Sequence, residues 1–187
     1  TVDARTTYCR THGYPAAAAY LPPQDSPDGM VVLRIIPGRY DEISIDNNSR
    51  LKTPVAQRII AGLKADDIIT TDKLETALYS VSDATGARAV GVLSPGRTFG
   101  TSKLTVRIED SKESNTIFYV ENYGSPSTGR YRYGLQETLY DPSGTGDKVS
   151  VGGLISNGSL RNFYANYETV VGRGGSTLGI GASRMNY

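Results

Sequence analysis

The chain has 187 residues, 20 basic against 19 acidic side chains, a net charge of +1 and a hydrophobic content of 38%. That is enough to bury one or two compact cores, while the near-neutral balance supplies no global field to draw nucleic acid, and no nucleic-acid partner is expected. One cysteine, Cys9, excludes an intrachain disulfide, and one histidine, His12, leaves little from which to build a His-rich metal site or a Ser-His-Asp triad.

No basic segment followed by an apolar one opens the sequence, so no signal peptide is expected within it. Nor does any run approach the roughly 18 apolar residues a membrane-spanning helix needs, although spanning strands need only about 9 to 11 alternating residues. Composition changes along the chain. Thirteen of the 21 glycines and eight of the 13 tyrosines lie between Thr116 and Tyr187, a stretch whose single lysine is Lys148, so two different materials join near Ser111.

Residues 1–12 read as the last turns of a helix stopped by Gly13, with His12 at its end and Cys9 partly buried in it. Two strands are expected over 16–21 and 30–36, antiparallel across the loop from Gln24 to Gly29; a plain hairpin opening one larger domain is the other reading. Ile43 and Ile45 alternate with polar residues in a half-buried strand over 41–46, ended by a turn at 47–49. Thr53 is an N-cap candidate with Pro54 behind it, and Val55, Ile59, Ile60 and Leu63 share one face of a helix over 54–64. Asp72 and Glu75 have capping-box spacing, and Leu74, Leu78 and Val81 line a second helix ending before Gly86. Strands are expected over 87–94, with Ala89, Gly91 and Leu93 on one face and Val90 and Val92 on the other, and around Leu104, Val106 and Ile108. This β-α-α-β-β order implies a small α+β domain.

Beyond Ser111 the period becomes two. Strand-like segments at 116–124, 130–140, 148–156, 160–171 and 176–183 are joined by turn-forming SPSTG, DPSGTGD, SNGS and GRGG. Tyr131, Tyr133, Leu135 and Leu139 share a face opposite Arg130, Arg132, Gln136 and Thr138; Leu178, Ile180 and Ala182 oppose Thr177, Gly179 and Ser183. Alternation of this kind fits a transmembrane barrel and equally a soluble meander or sandwich. Asn157-Gly158 signals a type I′ turn.

Three groups of phrases break that tie. GYPAAAAYLPPQDSPDGMVVLRIIPG near the start, SRLKTPV and TSKLTVRIED in the α+β unit, and VENYGSPSTGRYRYG, DPSGTGDKVSVGGLISN and YANYETVVGRGGSTLGIGASRMNY near the end resemble the outer-membrane transporters of two-partner secretion. The resemblance spans the whole chain. It implies the C-terminal part of a first POTRA domain over 1–38, a second POTRA domain over 39–111 with a three-stranded mixed sheet and two helices, and the first about five strands of an outer-membrane β-barrel over 112–187. A barrel-assembly factor of related architecture, and a soluble α+β adhesin or scaffold with a β-sandwich tail, are the alternatives.

The adjacent carboxylates Asp41-Glu42, Asp66-Asp67 and Glu109-Asp110 cannot face one another as acid/base catalysis requires, and the glycine-rich turns lie between strands, not before a helix. No enzyme activity, cofactor or metal is expected. The resemblance instead implies POTRA domains in the periplasm that bind a secreted exoprotein through its N-terminal secretion domain, a barrel in contact with outer-membrane lipid, and strand addition at an exposed sheet edge. The expected partner-binding residues are Val90, Val92 and Ser94 on that edge strand and Ile59 and Leu63 in a groove beside the first helix. Proline at Val90 is expected to block addition and spare the fold. As read, the strands leave two open edges, which predicts self-association or folding of the apolar face over the α+β unit.

Overall fold

The computed structural model describes residues 1–25, 29–110 and 112–187; part of the expected loop from Gln24 to Gly29, and the junction at Ser111, lie outside these residues. Helix α1 (Val2–Thr11) ends at His12, whose ring stacks on Tyr8 with centroids 3.9 Å apart, and Gly13 takes φ +95° to turn the chain. Strands β1 (Ala18–Tyr20) and β2 (Arg34–Ile36) form a short antiparallel ribbon. The expected apolar strand from Met30 is therefore half as long. Met30, Val31 and Val32 are exposed and have no partner strand among the described residues; the Gln24 amide holds Val32 instead, accepting its N–H (2.8 Å) and donating to its carbonyl (2.9 Å).

Next comes the complete α+β unit: β3 (Arg39–Asn48), α2 (Thr53–Ile59), α3 (Thr71–Thr85), β4 (Arg88–Pro95) and β5 (Thr101–Glu109). Its sheet order is β3-β5-β4, with β3 parallel and β4 antiparallel to β5, so the sheet is mixed. Central β5 supplies Leu104, Val106 and Ile108, all fully buried beneath Val55, Ala56 and Ile59 of α2 and Leu74, Val81 and Ala84 of α3. Each such apolar side chain removed from water contributes about 1.5–3 kcal/mol, and this layer is the chain's largest buried cluster among the described residues.

The helices differ from expectation at their caps, and α2 ends at Ile59, short of the expected residue 64. Thr53 begins α2 but does not cap it: its hydroxyl accepts from Asn47 Nδ2 (3.2 Å), and the Lys52 carbonyl takes the Val55 and Ala56 N–H groups. The Asp72–Glu75 spacing likewise produces no side-chain cap, because α3 starts two residues earlier, with Thr70 at the N-cap. Gly86 at φ +60° ends α3 where the period predicted.

Strands β6 (Ser114–Glu121), β7 (Arg132–Tyr140), β8 (Asp147–Ser156), β9 (Arg161–Val170) and β10 (Thr177–Asn186) form one antiparallel meander in sequence order. It is a single sheet, not a sandwich, and its apolar face is not folded back over the α+β unit: Phe118, Leu135, Phe163, Leu178 and Ile180 are all more than half exposed. The expected type I′ turn at Asn157-Gly158 is absent, since neither residue has positive φ. Asn157 is instead paired with the neighbouring loop, donating its N–H to Tyr131 O (2.9 Å) and accepting the Tyr131 N–H at Oδ1 (3.0 Å). Replacing Ile108 with alanine under both helices should cost about 2–5 kcal/mol, read as a lower urea midpoint of the intact chain.

Candidate functional site

Strand β5 is paired on both sides, which leaves β4 with one free edge. The hydrogen bonds of its neighbours reveal which backbone groups point there. The Gly96 N–H donates to Thr101 O across the β4–β5 hairpin (3.0 Å), whereas the Ala89 N–H donates away from β5, to Ser82 Oγ on α3 (3.1 Å). With continuous register, even-numbered residues of β4 bond β5 and odd-numbered ones face the free edge. Ser82 occupies the first outward donor, so Gly91 and Leu93 offer the open N–H and C=O groups. Val90 therefore bonds within the sheet, and proline there would break the ladder instead of closing the edge, contrary to expectation.

Val90 and Val92 are each 41% exposed on the sheet face away from the helices, and Ser94 follows them on that face. Ala89, Gly91 and Leu93 turn toward the helices. A methyl added to Gly91 would meet Leu78 Cδ1 at 3.2 Å and Leu104 Cδ1 at 3.3 Å, so glycine lets α3 lie close. The helix beside β4 is α3, with Leu78, Tyr79 and Ser82 lining a hollow of about 300 Å³ against Ala89, Val90 and Gly91.

Ile59 and Leu63 are not part of that hollow. Both are buried, and they line a separate cleft of about 310 Å³ between α2 and α3 with Ala77, Ser80 and Gly174. The groove expected to unite them with Val90, Val92 and Ser94 is thus two surfaces, because α3 lies over β4 and α2 over β3.

Gly174 in that cleft marks an arrangement that composition did not reveal: the turns β7–β8 and β9–β10 dock on the helices. Val170, at the end of β9, is 3% exposed within the α+β core. Arg58 of α2 donates from Nη2 to Val170 O (3.3 Å) and its own carbonyl accepts the Gly174 N–H (3.5 Å). The β7–β8 turn makes the second anchor, with the Lys52 N–H donating to Gly144 O (3.0 Å) and Lys148 Nζ 3.9 Å from Asp83. Glycine is required at both contacts. A Cβ on Gly175 (φ +78°) would stand 2.7 Å from Ser80 Cβ, and one on Gly144 (φ +75°) 2.9 Å from Arg50 O.

Beside β3, Arg97 forms a bidentate pair with Asp41, whose carboxylate also accepts the Arg97 N–H (2.9 Å). Hydrogen bonds from Arg97, with its charge, hold Asp41 below the usual carboxylate range. In the β7–β8 turn, burial pushes the Asp141 carboxyl up despite the Gly146 N–H it accepts (2.7 Å). Among the described residues no group of three or more His, Cys, Asp or Glu could hold a metal ion.

No protein-family model matches the chain. It is 29% identical over 182 residues to the heme/hemopexin transporter protein HuxB of Haemophilus influenzae, a match covering 96% of this chain and 32% of the relative, so the chain spans about a third of that protein's length. Among solved structures it resembles CdiB from Escherichia coli (TM-score 0.70, 20% identity, 97% of this chain and 34% of that one). CdiB from Acinetobacter baumannii follows (0.66, 19%, 97% and 34%). BamA from Haemophilus ducreyi lacking POTRA domains 1-3 covers the whole chain and 36% of its own (0.63, 15%). At these identities the structures share the fold: the α+β unit followed by antiparallel strands that begin a barrel.

Two outcomes test the geometry. Valine at Gly175 should release the β9–β10 hairpin, read as faster amide exchange around Val170 in the intact chain. Because Asp41 has a depressed folded pKa, its pairing stabilises the fold above the carboxylate's ordinary pKa, and the contribution is lost as pH falls through the folded value. Asp41→Asn should flatten that part of the acid unfolding profile.

Proposed function

We propose, for a chain that is similar over nearly its whole length to the outer-membrane transporters of two-partner secretion and lies in that membrane with its POTRA part in the periplasm, that it captures an extended secreted protein and passes it to the barrel. The domain division proposed is residues 1–38, 39–111 and 112–187. In this reading β4 is the capture edge, and the single observation that carries it is the pair of outward N–H and C=O sets at Gly91 and Leu93. An incoming strand would add there antiparallel or parallel, with its side chains beside Val90 and Val92 on one face and above Leu78 and Tyr79 on the other.

Recognition of this kind needs no cofactor and no covalent step. Main-chain bonds supply affinity for any extended segment, and the alternating pockets select apolar residues at every second position. The client is a secreted exoprotein presenting an unfolded N-terminal region, and its unpaired backbone is what the edge satisfies. The edge carries no lysine, and its proline, Pro95, stands at the last position, so little prevents addition at Gly91 and Leu93. The likeness to a heme/hemopexin transporter in sequence, against one to BamA in fold alone, favours export of a partner over assembly of other barrels.

Leu93→Pro removes an outward donor, whereas Val90→Pro breaks the β4–β5 ladder. In the full-length transporter, Leu93→Pro is expected to reduce client retention several-fold in a pull-down with native-like protease resistance kept, and Val90→Pro to lose both. Equal retention by wild type and Leu93→Pro would remove β4 as the capture edge.

A further inference from the structure

The five-stranded sheet has a top and a bottom defined by its contacts. Turns β7–β8 and β9–β10 rest on the periplasmic helices, so the β6–β7 and β8–β9 loops lie at the opposite end, toward the outer leaflet. Cross-strand partners share a face of the sheet. Following the register from strand to strand places Phe118, Leu135, Gly153, Phe163 and Arg184 in one row on one face, and Val120, Tyr133, Ile155, Arg161 and Asn186 in the next row outward on the same face. This is the apolar face, the one a barrel turns to lipid. Its opposite carries Gln136, Thr138, Ser150 and Asn166.

Two arginines on a lipid-directed face require an explanation. Arg161 and Arg184 are exposed, and no side-chain hydrogen bond or ion pair joins either to another described residue. They are diagonal neighbours, since Arg161 stands opposite Asn186 and Arg184 opposite Phe163, which places their Cβ atoms about 7–8 Å apart. Neither row contains a carboxylate. Glu121 belongs to the other face, where it pairs with Arg132 (3.1 Å).

Directly below the pair, the same face is hollow. A furrow of about 570 Å³ runs beside Gly153, walled by Phe118, Leu135, Val151, Ile155 and Phe163, with Glu137 also in its lining. Gly153 lets the Phe163 ring lie across the sheet to form one wall: a Cβ there would stand 2.9 Å from that ring. Ile155 lies opposite Arg161 and Phe163 opposite Arg184, so each arginine is the cross-strand neighbour of a residue that walls the furrow.

We propose that Arg161 and Arg184 bind the phosphate of an outer-leaflet phosphorylated glycolipid, whose acyl chain lies in the furrow beside Gly153. Charge and depth select this occupant. Planar guanidinium forks match phosphate oxygens in pairs, and long arginine stems carry their charge from an apolar wall to the headgroup level. A periplasmic client would reach the other end of the sheet and the other face. The proposal rests on the placement of the sheet in the outer membrane and is independent of capture at β4.

The test uses the full-length transporter, purified in neutral detergent, with bis-phosphorylated lipid A and its dephosphorylated form as probes and bound lipid read by native mass spectrometry. Wild type is expected to retain the phosphorylated form, and the double variant Arg161→Ala/Arg184→Ala to lose about tenfold in affinity for it. Gly153→Val, which displaces the Phe163 wall of the furrow, should weaken the same probe several-fold, and excess inorganic phosphate should not displace it. Equal retention by wild type and the double variant, or equal binding of the dephosphorylated lipid, would overturn the site. Folding is checked by heat-shifted electrophoretic mobility. If the double variant fails that check, Arg161→Gln and Arg184→Gln singly decide, unchanged retention in both again overturning the proposal. A transporter that does not partition into outer membranes would overturn the placement instead, a separate outcome.

Discussion

Insertion of Val170 into the α+β core is the contact on which the arrangement of the whole molecule depends. An apolar side chain at the end of a membrane strand is buried among Ala84 and the helix residues around it, so the strand unit and the helical unit share one desolvated surface. Backbone bonds on either side, from Arg58 to Val170 and from Lys52 to Gly144, fix the angle at which they meet. Glycines at 144 and 175 make the approach possible, because a side chain at either would collide with backbone or with α3. The turns are therefore shaped by the helices they rest on, and their left-handed backbone is a packing requirement as much as a means of reversing the chain.

Consequences follow for both ends of the sheet. At the periplasmic end, docking roofs the cleft that contains Ile59 and Leu63 and leaves the outer edge of β4 open beside α3. At the far end, the β6–β7 and β8–β9 loops are tied together through Tyr131 and Asn157 instead of through the helical unit. Between them the outward face carries one acid in mid-strand, Glu137, which shares its row with Val151 and Ala165 and takes a hydrogen bond from the Thr116 hydroxyl. That bond satisfies a carboxyl group which would otherwise face hydrocarbon with no donor.

Much of this was legible in the chain's periodicity. Ile43 and Ile45, the stripes of α2 and α3, and Leu104, Val106 and Ile108 announced a β-α-α-β-β unit because one-sided burial imposes a repeat of two on strands and of 3.6 on helices. The caps were harder. Thr53 and Asp72 have the right chemistry, but competition from Asn47 and a start two residues earlier decided otherwise, and those partners are set by tertiary placement. Grouping residues by hydrophobicity also passed over Glu137 and Arg184, since a polar residue on an apolar face is visible only when the register with its neighbours is known.

By itself, the sequence determined which residues face a core, where α1 and α3 stop, and that the second half is built of strands with one apolar side, because these depend on local period and on glycine's backbone freedom. Tertiary structure alone decided which N–H groups of β4, one of the two outer strands of the mixed sheet, point outward, that α3 and not α2 accompanies it, and that Val170 joins the helical core. Each of these depends on pairings across many tens of residues, where alternation states that a face is buried but not against what.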